Sequence, residues 1–332
     1  MGVAWGILST ARIGARLVEG ASKTGAAEIV AVASRNEATA QAFADGHGIA
    51  RAHGSYEALL TDPSVEAVYI PLPNSMHVDW TVRALRAGKH VLCEKPMDRR
   101  AAQVTHAFDV AEQHGLVLSE ALMWRHNPQT QRLRRLLDEG TIGAVRLVRA
   151  CFSFVLAGDV DVRLDQALHG GGLMDVGCYC VSGARLVAGE PVSVCAQAVP
   201  GPTGVDMRLS GLLRFDGDVL GVIDCGLDDT SRGELEVVGS EGRIVLADPW
   251  HANAPRIVVE RGLQREVVEV GAADSYTREL EDVAAAIAGE RAPLLGRADA
   301  LGQARTIEAL YRAAAEGRAV ALPAPPVSAR AR

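Results

Sequence analysis

Short apolar runs alternate with longer helical patterns over the first 122 residues. The runs are almost wholly apolar, which is typical of strands buried on both faces of a parallel sheet. The stretches between them carry apolar residues at helical spacing and predict helices at 78–87 and 101–114. The predicted strands are 3–8, 29–33, 67–70, 90–93 and 117–121. This alternation predicts repeated βαβ units and a doubly wound parallel sheet.

The pattern changes after residue 122. A helix at 130–139 ends at Gly140, and the later apolar runs are longer and alternate with polar residues, which predicts a large open, mostly antiparallel sheet. Its strands are predicted at 145–155, 192–199, 209–215, 219–225, 235–238 and 257–270. Two amphipathic helices, 276–288 and 298–315, follow, and the second stops before Gly317. The sequence therefore predicts an α/β chain with a first domain at 1–122, an α+β domain at 123–322 and an unstructured tail at 323–332.

Composition narrows the class of partner. A net charge of -7 and a pI near 5.8 argue against nucleic acid, whose binding proteins concentrate basic residues, and favour a small-molecule substrate. No apolar run reaches the length of a membrane span, so we expect no membrane partner. The six cysteines contain no C-x-x-C pair, which indicates a reducing, cytoplasmic setting and no structural zinc or other metal site.

The first predicted strand runs directly into a glycine-poor turn and then a helix, where a dinucleotide pyrophosphate would meet helix N-terminal amides. A full G-x-G-x-x-G motif would have glycine at Ser9 and Ala11, and only Gly14 matches. The alternative is an ordinary strand-to-helix turn. The candidate cofactor-binding residues here are Gly6, Ser9, Thr10, Ala11, Arg12 and Ile13.

The second strand ends at Ser34-Arg35, where an acidic residue would hold the ribose of NAD and an arginine can hold the 2'-phosphate of NADP. The guanidinium therefore favours NADP(H) over NAD(H), although the same residue can be a solvated arginine in a loop. The loops that follow the next strands lie at the ligand-binding edge of such a sheet. They add the cofactor-binding candidates Pro71, Leu72, Asn74, His77, Glu94 and Lys95.

Hydride transfer to or from an alcohol carbon needs a second group that exchanges the hydroxyl proton. Lysine is scarce, with only Lys23, Lys89 and Lys95 among 34 basic residues, so Lys95 is a candidate, with a surface lysine as the alternative. Asp175 and Tyr179 follow a glycine run and are four residues apart, which would place both on one helical face. The alternative is an aspartate that favours the helix dipole and a half-buried tyrosine.

Three strings carry a family resemblance: Glu94-Lys95-Pro96, 124–128 (Trp-Arg-His-Asn-Pro) and 170–179. Together with the order of the two domains they resemble the Gfo/Idh/MocA oxidoreductases, in the branch of dimeric dihydrodiol dehydrogenase and NADP-dependent xylose dehydrogenase. The resemblance implies an NADP-binding Rossmann domain and a substrate-binding domain whose open sheet forms a homodimer or homotetramer. It implies Lys95, Asp175 and Tyr179 as catalytic residues, and substrate contacts from Lys95, Trp124, Arg125, His126, Arg163, Asp175 and Tyr179.

The leading hypothesis is an NADP(H)-dependent oxidoreductase. It would transfer hydride between nicotinamide and a secondary alcohol or ketone of a sugar, cyclic polyol or dihydrodiol, with Lys95 and Tyr179 in proton transfer. A second hypothesis is a ketoreductase that acts on a nucleotide-linked keto-sugar. A third, from another class, is a non-catalytic regulator that senses NADP(H).

Overall fold

The computed structural model describes residues 2–158, 160–253 and 255–323. The strands are β1 Val3–Leu8, β2 Ala27–Ala33, β3 Arg51–His53, β4 Ala67–Ile70, β5 His90–Glu94, β6 Leu118–Ala121, β7 Val145–Val155, β8 Pro191–Pro200, β9 Asp206–Phe215, β10 Leu220–Gly226, β11 Asp228–Gly239, β12 Arg243–Leu246, β13 Arg256–Arg261, β14 Gln264–Glu269 and β15 Val320–Ala321. The helices are α1 Arg12–Ala21, α2 Glu37–His47, α3 Tyr56–Leu60, α4 His77–Arg86, α5 Ala101–His114, α6 Pro128–Asp138, α7 Cys178–Ala188, α8 Ser275–Ile287 and α9 Arg297–Glu316. Apart from Pro323, the predicted tail lies outside the described residues.

The chain divides into two compact units. Unit 1 contains Met1–Asn127 and Ala273–Leu301, and unit 2 contains Pro128–Ala272 and Gly302–Arg332. The first unit ends at Asn127, whereas the sequence predicted a domain boundary after residue 122. The segment Ala273–Leu301, which was expected in the second domain, lies in unit 1. No helix in the described part of the chain is both long and apolar enough to span a bilayer.

Unit 1 is built on a six-stranded parallel sheet of order β3-β2-β1-β4-β5-β6. The buried strands form its core with Trp5, Tyr69 and Leu92, each fully buried. The strand order reverses between β1 and β4, and doubly wound sheets bind ligands beside the carboxyl ends of the strands at this point. The predicted parallel sheet is confirmed, and the loops after β1 and β4 flank its switch point.

Helix α8 belongs to unit 1 because its apolar face packs on that unit's core. Leu280 and Val283 are fully buried in the cluster that contains the strands. The Thr277 hydroxyl donates to the carbonyl of Gly20 in α1 at 2.9 Å, and a Cβ at Gly20 would lie 2.8 Å from that of Tyr276. Glycine therefore allows the close approach of α1 and α8.

Unit 2 is built on a nine-stranded sheet of order β14-β13-β12-β11-β7-β10-β9-β8-β15. Among the described strands of this sheet, β7 and β10 alone pair in parallel, so the predicted mostly antiparallel sheet is confirmed. The β9–β10 hairpin turns at Gly217, which has a φ of 71°. Helix α9 ends before Gly317, which has a φ of 63° and acts as the predicted glycine stop.

Two local features of unit 2 differ from the predictions. The single strand expected at 257–270 is a hairpin of β13 and β14, which turns at Gly262 with a φ of 59°. Alternation continues through both arms, so the pattern did not mark the reversal. The helix expected after the glycine run begins with a five-residue π-helical turn, Leu173–Gly177, before α7.

Candidate active site

Ser9 lies in the turn between β1 and α1 with a backbone φ of 143°. L-residues rarely adopt this conformation, whereas glycine adopts it without steric cost. The Ser9 hydroxyl donates to the main-chain carbonyl of Pro71 at 3.1 Å and accepts from the amide of Ala11 at 3.2 Å. These two hydrogen bonds hold Ser9 in a backbone conformation that is typical of glycine. The loop therefore has the conformation of a glycine turn although its sequence lacks the glycine.

The start of α1 fits a pyrophosphate group. Ala11 precedes the helix in an extended conformation, and its methyl side chain leaves the first-turn amides uncapped. The first turn contains no acidic side chain, so it offers no negative charge against a phosphate. Thr10 and Ile13 are half-buried beside this turn and Arg12 is exposed, so each of these three predicted residues retains surface that a ligand can reach.

Gly6 is buried within β1. A Cβ at this position would lie 2.7 Å from Leu59 and 3.1 Å from Val65. The absence of a side chain therefore lets α3 pack closely on the strand. This packing role accounts for the glycine, and its contact with a cofactor stays a prediction.

Arg35 is the second residue after β2 and is exposed. Its neighbour Ser34 is half-buried, and the Ser34 amide donates to the carbonyl of His53 at 3.0 Å. The Arg35 guanidinium lies beside the hydroxyl of Tyr56: burial raises the pKa of Tyr56, and the arginine charge acts in the opposite direction. A permanent cation thus stands at the strand end where doubly wound folds recognise the adenosine ribose.

His77 is buried at the start of α4 and joins two loops. Its Nδ1 lies 2.9 Å from the carbonyl of Pro96, and its Nε2 lies 2.7 Å from the carbonyl of Leu72. Burial lowers the pKa of His77, although the two carbonyls favour the charged form. Both ring nitrogens therefore contact main-chain carbonyls. Asn74, in the short helical turn before α4, and Pro71 complete the loop that follows β4.

Lys95 follows β5 at a cis peptide bond to Pro96. Its amide donates to Oε2 of Glu94 at 3.1 Å, and Oε1 of Glu94 accepts from the hydroxyl of Tyr69. On the other side of the turn, the Met97 amide donates to a carboxylate oxygen of the buried Glu120 at 2.7 Å. The backbone that carries the half-buried lysine is thus held from both sides.

The other two lysines have structural surroundings. Lys89 is buried, and its ammonium donates to the carbonyls of Asp62 and Val65 at 2.8 and 2.7 Å. Lys23 pairs on the surface with Glu19 and Asp274 at 2.8 and 2.6 Å. Lys89 therefore has a structural role, since its ammonium binds two main-chain carbonyls. The small number of lysines does not by itself identify a catalytic lysine.

The three residues predicted to contact substrate from the segment 124–128 are buried. Trp124 has no exposed surface, and Arg125 and His126 are 6% and 8% exposed. Arg125 pairs with Asp299 at 3.1 Å, and Nε2 of His126 lies 3.3 Å from Asp282. The ion pairs of Arg125 and His126 thus lie within unit 1, and the contact of all three residues with substrate stays a prediction.

Arg163 and Asp175 form an ion pair in unit 2. The Nε of Arg163 donates to Oδ2 of Asp175 at 2.7 Å, and its Nη1 lies 3.2 Å from Asp161. Burial acts to lower the pKa of Arg163, but the two carboxylates outweigh it and raise the value above that of a free arginine. Asp175 is therefore held by a cation from the preceding loop, which is a partner that the sequence did not predict.

Tyr179 is half-buried in the first turn of α7 against two aromatic rings. Its ring meets Phe152 edge to face at 5.4 Å between centroids, and Trp250 at 5.9 Å. Val176 and Cys180, which flank Asp175 and Tyr179 in this segment, are buried. Phe152 and Trp250 lie far from Tyr179 in sequence, and their apolar positions resembled ordinary core residues.

The cysteines in the described residues are free thiols. Burial raises the pKa of Cys93, Cys180 and Cys225, so these side chains behave as small apolar groups. Within the described ranges, no group of three or more His, Cys, Asp or Glu residues is arranged to hold a metal ion.

Both units match known protein families. Residues 3–122 match the model of an oxidoreductase family with an NAD-binding Rossmann fold. Residues 130–245 match the GFO/IDH/MocA C-terminal domain.

Relatives extend the match over almost the whole chain. D-xylose 1-dehydrogenase (NADP(+)) 2 of Haloferax volcanii is 42% identical over 325 residues, which cover 96% of this chain and 99% of that protein. Trans-1,2-dihydrobenzene-1,2-diol dehydrogenase of Bos taurus is 36% identical over 271 residues, 80% of each chain. A 3-ketoreductase of Actinomadura kijaniata, crystallised with NADP and TDP-benzene, superposes with a TM-score of 0.89 at 30% identity and covers 94% of this chain and 98% of its own.

Proposed function

The chain belongs to the Gfo/Idh/MocA oxidoreductases, and on that premise we propose that it is an NADP(H)-dependent dehydrogenase or reductase. Its substrate would be a secondary alcohol, or the matching ketone, of a sugar, cyclic polyol or dihydrodiol. The observation that carries the proposal is the turn around Lys95, whose main chain is hydrogen-bonded by Glu94, His77 and Glu120. The named activities of the relatives on D-xylose and on a dihydrodiol support the substrate class.

Lys95 and Tyr179 are the proposed proton-transfer groups. A bound nicotinamide would supply the hydride chemistry, and the protein would take up the hydroxyl proton when the carbinol is oxidised. A neutral lysine amine or a tyrosine phenolate can accept that proton, and the ammonium or the phenol can donate it in the reverse direction. Both side chains are half-buried. Asp175, held by Arg163, would accept a hydrogen bond from a substrate hydroxyl and so orient the carbinol.

The preference for NADP(H) rests on the end of β2. Arg35 brings a permanent charge and several donors that suit phosphate oxygens, and Ser34 adds a hydroxyl. The uncapped first turn of α1 and the Ser9 loop would hold the pyrophosphate. We therefore propose that Ser34 and Arg35 bind the 2'-phosphate, which NAD lacks.

A homo-oligomer through the sheet of unit 2 is also proposed. Leu212 on β9 pairs with Cys195 on β8 and with Val222 on β10, so these side chains lie on one face of the sheet. Leu212 and Leu220 are 58% and 53% exposed, and large apolar groups at the centre of a sheet face are typical of an association surface. A second copy of the chain is the proposed partner.

A ketoreductase acting on a nucleotide-linked keto-sugar is the second candidate function. The likeness to the 3-ketoreductase crystallised with TDP-benzene supports it. Both candidates, and the non-catalytic NADP(H) sensor, are tested by following nicotinamide absorbance with D-xylose, a trans-dihydrodiol and a TDP-linked keto-sugar. Turnover with the first two and none with the third supports the proposal. Turnover only with the third favours the ketoreductase, and NADP(H) binding without turnover favours the sensor.

A further inference from the structure

Asp206 at the start of β9 is a buried carboxylate with both oxygens engaged. Its Oδ2 accepts from the amide of Leu173 at 2.7 Å, and its Oδ1 accepts from the hydroxyl of Tyr311 at 2.8 Å. An ionised group removed from water is costly unless such donors replace the solvent. Asp206 therefore connects helix α9, which carries Tyr311, to the first residue of the π-helical turn.

The glycine run before this turn is shaped to the carboxylate. Gly171 has a φ of 120°, and a Cβ there would lie 2.1 Å from Oδ1 of Asp206. A Cβ at Gly170 would lie 2.3 Å from the carbonyl of Arg163. The Gly171 amide also donates to that carbonyl at 2.9 Å. The main chain is thus pressed between Asp206 on one side and the Arg163 loop on the other, which explains the glycines.

Helix α9 supports the end of the same segment. The side-chain amide nitrogen of Gln303, Nε2, donates to the main-chain carbonyl of Cys178 at 2.6 Å. Cys178 is the residue before Tyr179. Gln303 is 1% exposed, and its oxygen accepts from Arg185 in α7 at 3.1 Å. The segment 171–179 is therefore tied to α9 near both ends, directly at Cys178 and through Asp206 at Leu173.

Asp175 lies between these two ties. Its amide donates to the carbonyl of Gly171 at 3.0 Å, so the position of Gly171 sets the turn that carries Asp175. A π-helical turn places side chains differently from an α-helix, and such turns are frequent at functional sites. The π-helical turn starts at Leu173, whose amide donates to Asp206. A shift of Leu173 would therefore rotate Asp175 and displace Tyr179.

We propose that Asp206 and Tyr311 are positioning residues, which fix the segment 171–179 so that Asp175 and Tyr179 meet the substrate in a reactive orientation. This inference rests on the proposed roles of Asp175 and Tyr179, and it assigns neither Asp206 nor Tyr311 a contact with substrate or cofactor. Burial raises the pKa of Asp206, and the hydrogen bonds that it accepts from Leu173 and Tyr311 act in the opposite direction.

The first test is amide hydrogen exchange in the full-length protein, with and without NADP+. Tyr311→Phe removes one hydroxyl, and Asp206→Asn keeps the shape of the side chain while weakening both bonds. Both variants are expected to exchange the amides of 171–179 at least about tenfold faster than wild type. Thr306→Val is the matched control, because the Thr306 hydroxyl is buried on the same helix and donates only within it, to Gly302. Unchanged exchange in both test variants would overturn the proposal.

The second test is a kinetic cycle with Tyr179→Phe. Tyr311→Phe is expected to lower kcat by about tenfold in the wild-type background and by only about threefold when Tyr179 is already Phe, because the loss that acts through Tyr179 is then absent and the loss that acts through Asp175 remains. The KM for NADP+ should stay unchanged. Equal losses in both backgrounds, or no loss in the wild-type background, would overturn the positioning role. If Tyr179→Phe alone keeps full activity, the proposed function fails at Tyr179, and this is seen without reference to Asp206 or Tyr311.

Discussion

The hydroxyl of Ser9 donates to the carbonyl of Pro71 at 3.1 Å and so joins the loop after β1 to the loop after β4. Because Ser9 has a φ of 143°, its side chain must offset a strained backbone. Ser9→Ala keeps the strain and loses the bond, whereas Ser9→Gly relieves the strain while losing the same bond. We expect Ser9→Ala to lower the free energy of unfolding by about 1–3 kcal/mol.

Ser9→Gly should cost at least about 1 kcal/mol less than Ser9→Ala. Urea unfolding of the two variants beside wild type measures this difference. Equal stabilities for Ala and Gly would show that the conformation at residue 9 carries no strain.

Arg35→Ala tests the basis of cofactor preference. Loss of the guanidinium that would bind the 2'-phosphate should raise the KM for NADP+ by roughly 10- to 100-fold. The KM for NAD+ should stay within about twofold of the wild-type value. Arg51→Ala is the control, because Arg51 is a surface cation on the neighbouring β3 that pairs with Asp62 at 3.3 Å. An equal rise for both cofactors in Arg35→Ala would contradict a role at the 2'-phosphate.

Asp282 predicts a dependence of stability on pH. Burial acts to raise its pKa, but bonds from His126, the Leu294 amide and Arg291 together lower it from 3.8 to about 2. A pKa that is lower in the folded state stabilises the protein above pH 3.8, and this stability is lost as the pH falls through about 2. Asp282→Asn should therefore cost about 2 kcal/mol at neutral pH.

The stability gap between Asp282→Asn and wild type should narrow as the pH is lowered from about 5 to about 3. Chemical unfolding across this range measures it. Asp109→Asn is the control, since Asp109 is 57% exposed in its pair with Arg297 and should cost less than about 1 kcal/mol at any pH. A gap for Asp282→Asn that does not change with pH would contradict this explanation.

The proposed association surface is tested by charge. Leu212→Asp and Leu220→Asp place carboxylates on the exposed face of β9 and β10, where burial against a second copy would desolvate them. We expect these variants to elute as monomers in size-exclusion chromatography with light scattering, while wild type elutes as a dimer or larger. Leu263→Asp, at the exposed tip of the β13–β14 hairpin, is the control. A monomeric wild type would refute the surface.

Much of the fold was predictable because the spacing of apolar residues along the chain differs between helices, buried strands and half-buried strands. Buried parallel strands gave continuous apolar runs and the second sheet gave alternation. The helix that we expected at 276–288 lies at Ser275–Ile287, but an amphipathic pattern indicates only that one face of the helix is buried. That Leu280 packs on the strands of unit 1 depends on contacts far apart in sequence. Likewise, the turn at Gly262 was hidden because alternation continues through it.

The site was less predictable, because single residues carry it. Ser9 is a poor match to a glycine motif, and only its backbone angle reveals the retained turn. Glu120 and Asp206 are single acidic residues outside any periodic pattern. Each accepts a hydrogen bond from an amide more than twenty residues away in sequence, that of Met97 and that of Leu173. His77 was expected at the cofactor, and its two carbonyl partners were not foreseeable from sequence.

The most direct test of the central proposal is single-turnover and steady-state hydride transfer in Lys95→Met and Tyr179→Phe, followed by nicotinamide absorbance. Wild type should turn over D-xylose or a trans-dihydrodiol with NADP+. Each variant should lose roughly 10²- to 10⁴-fold in kcat while its affinity for NADP+ stays within about threefold. The surface variant Lys23→Met should match wild type. No turnover of any substrate by wild type, or full turnover by Lys95→Met, would contradict the proposal.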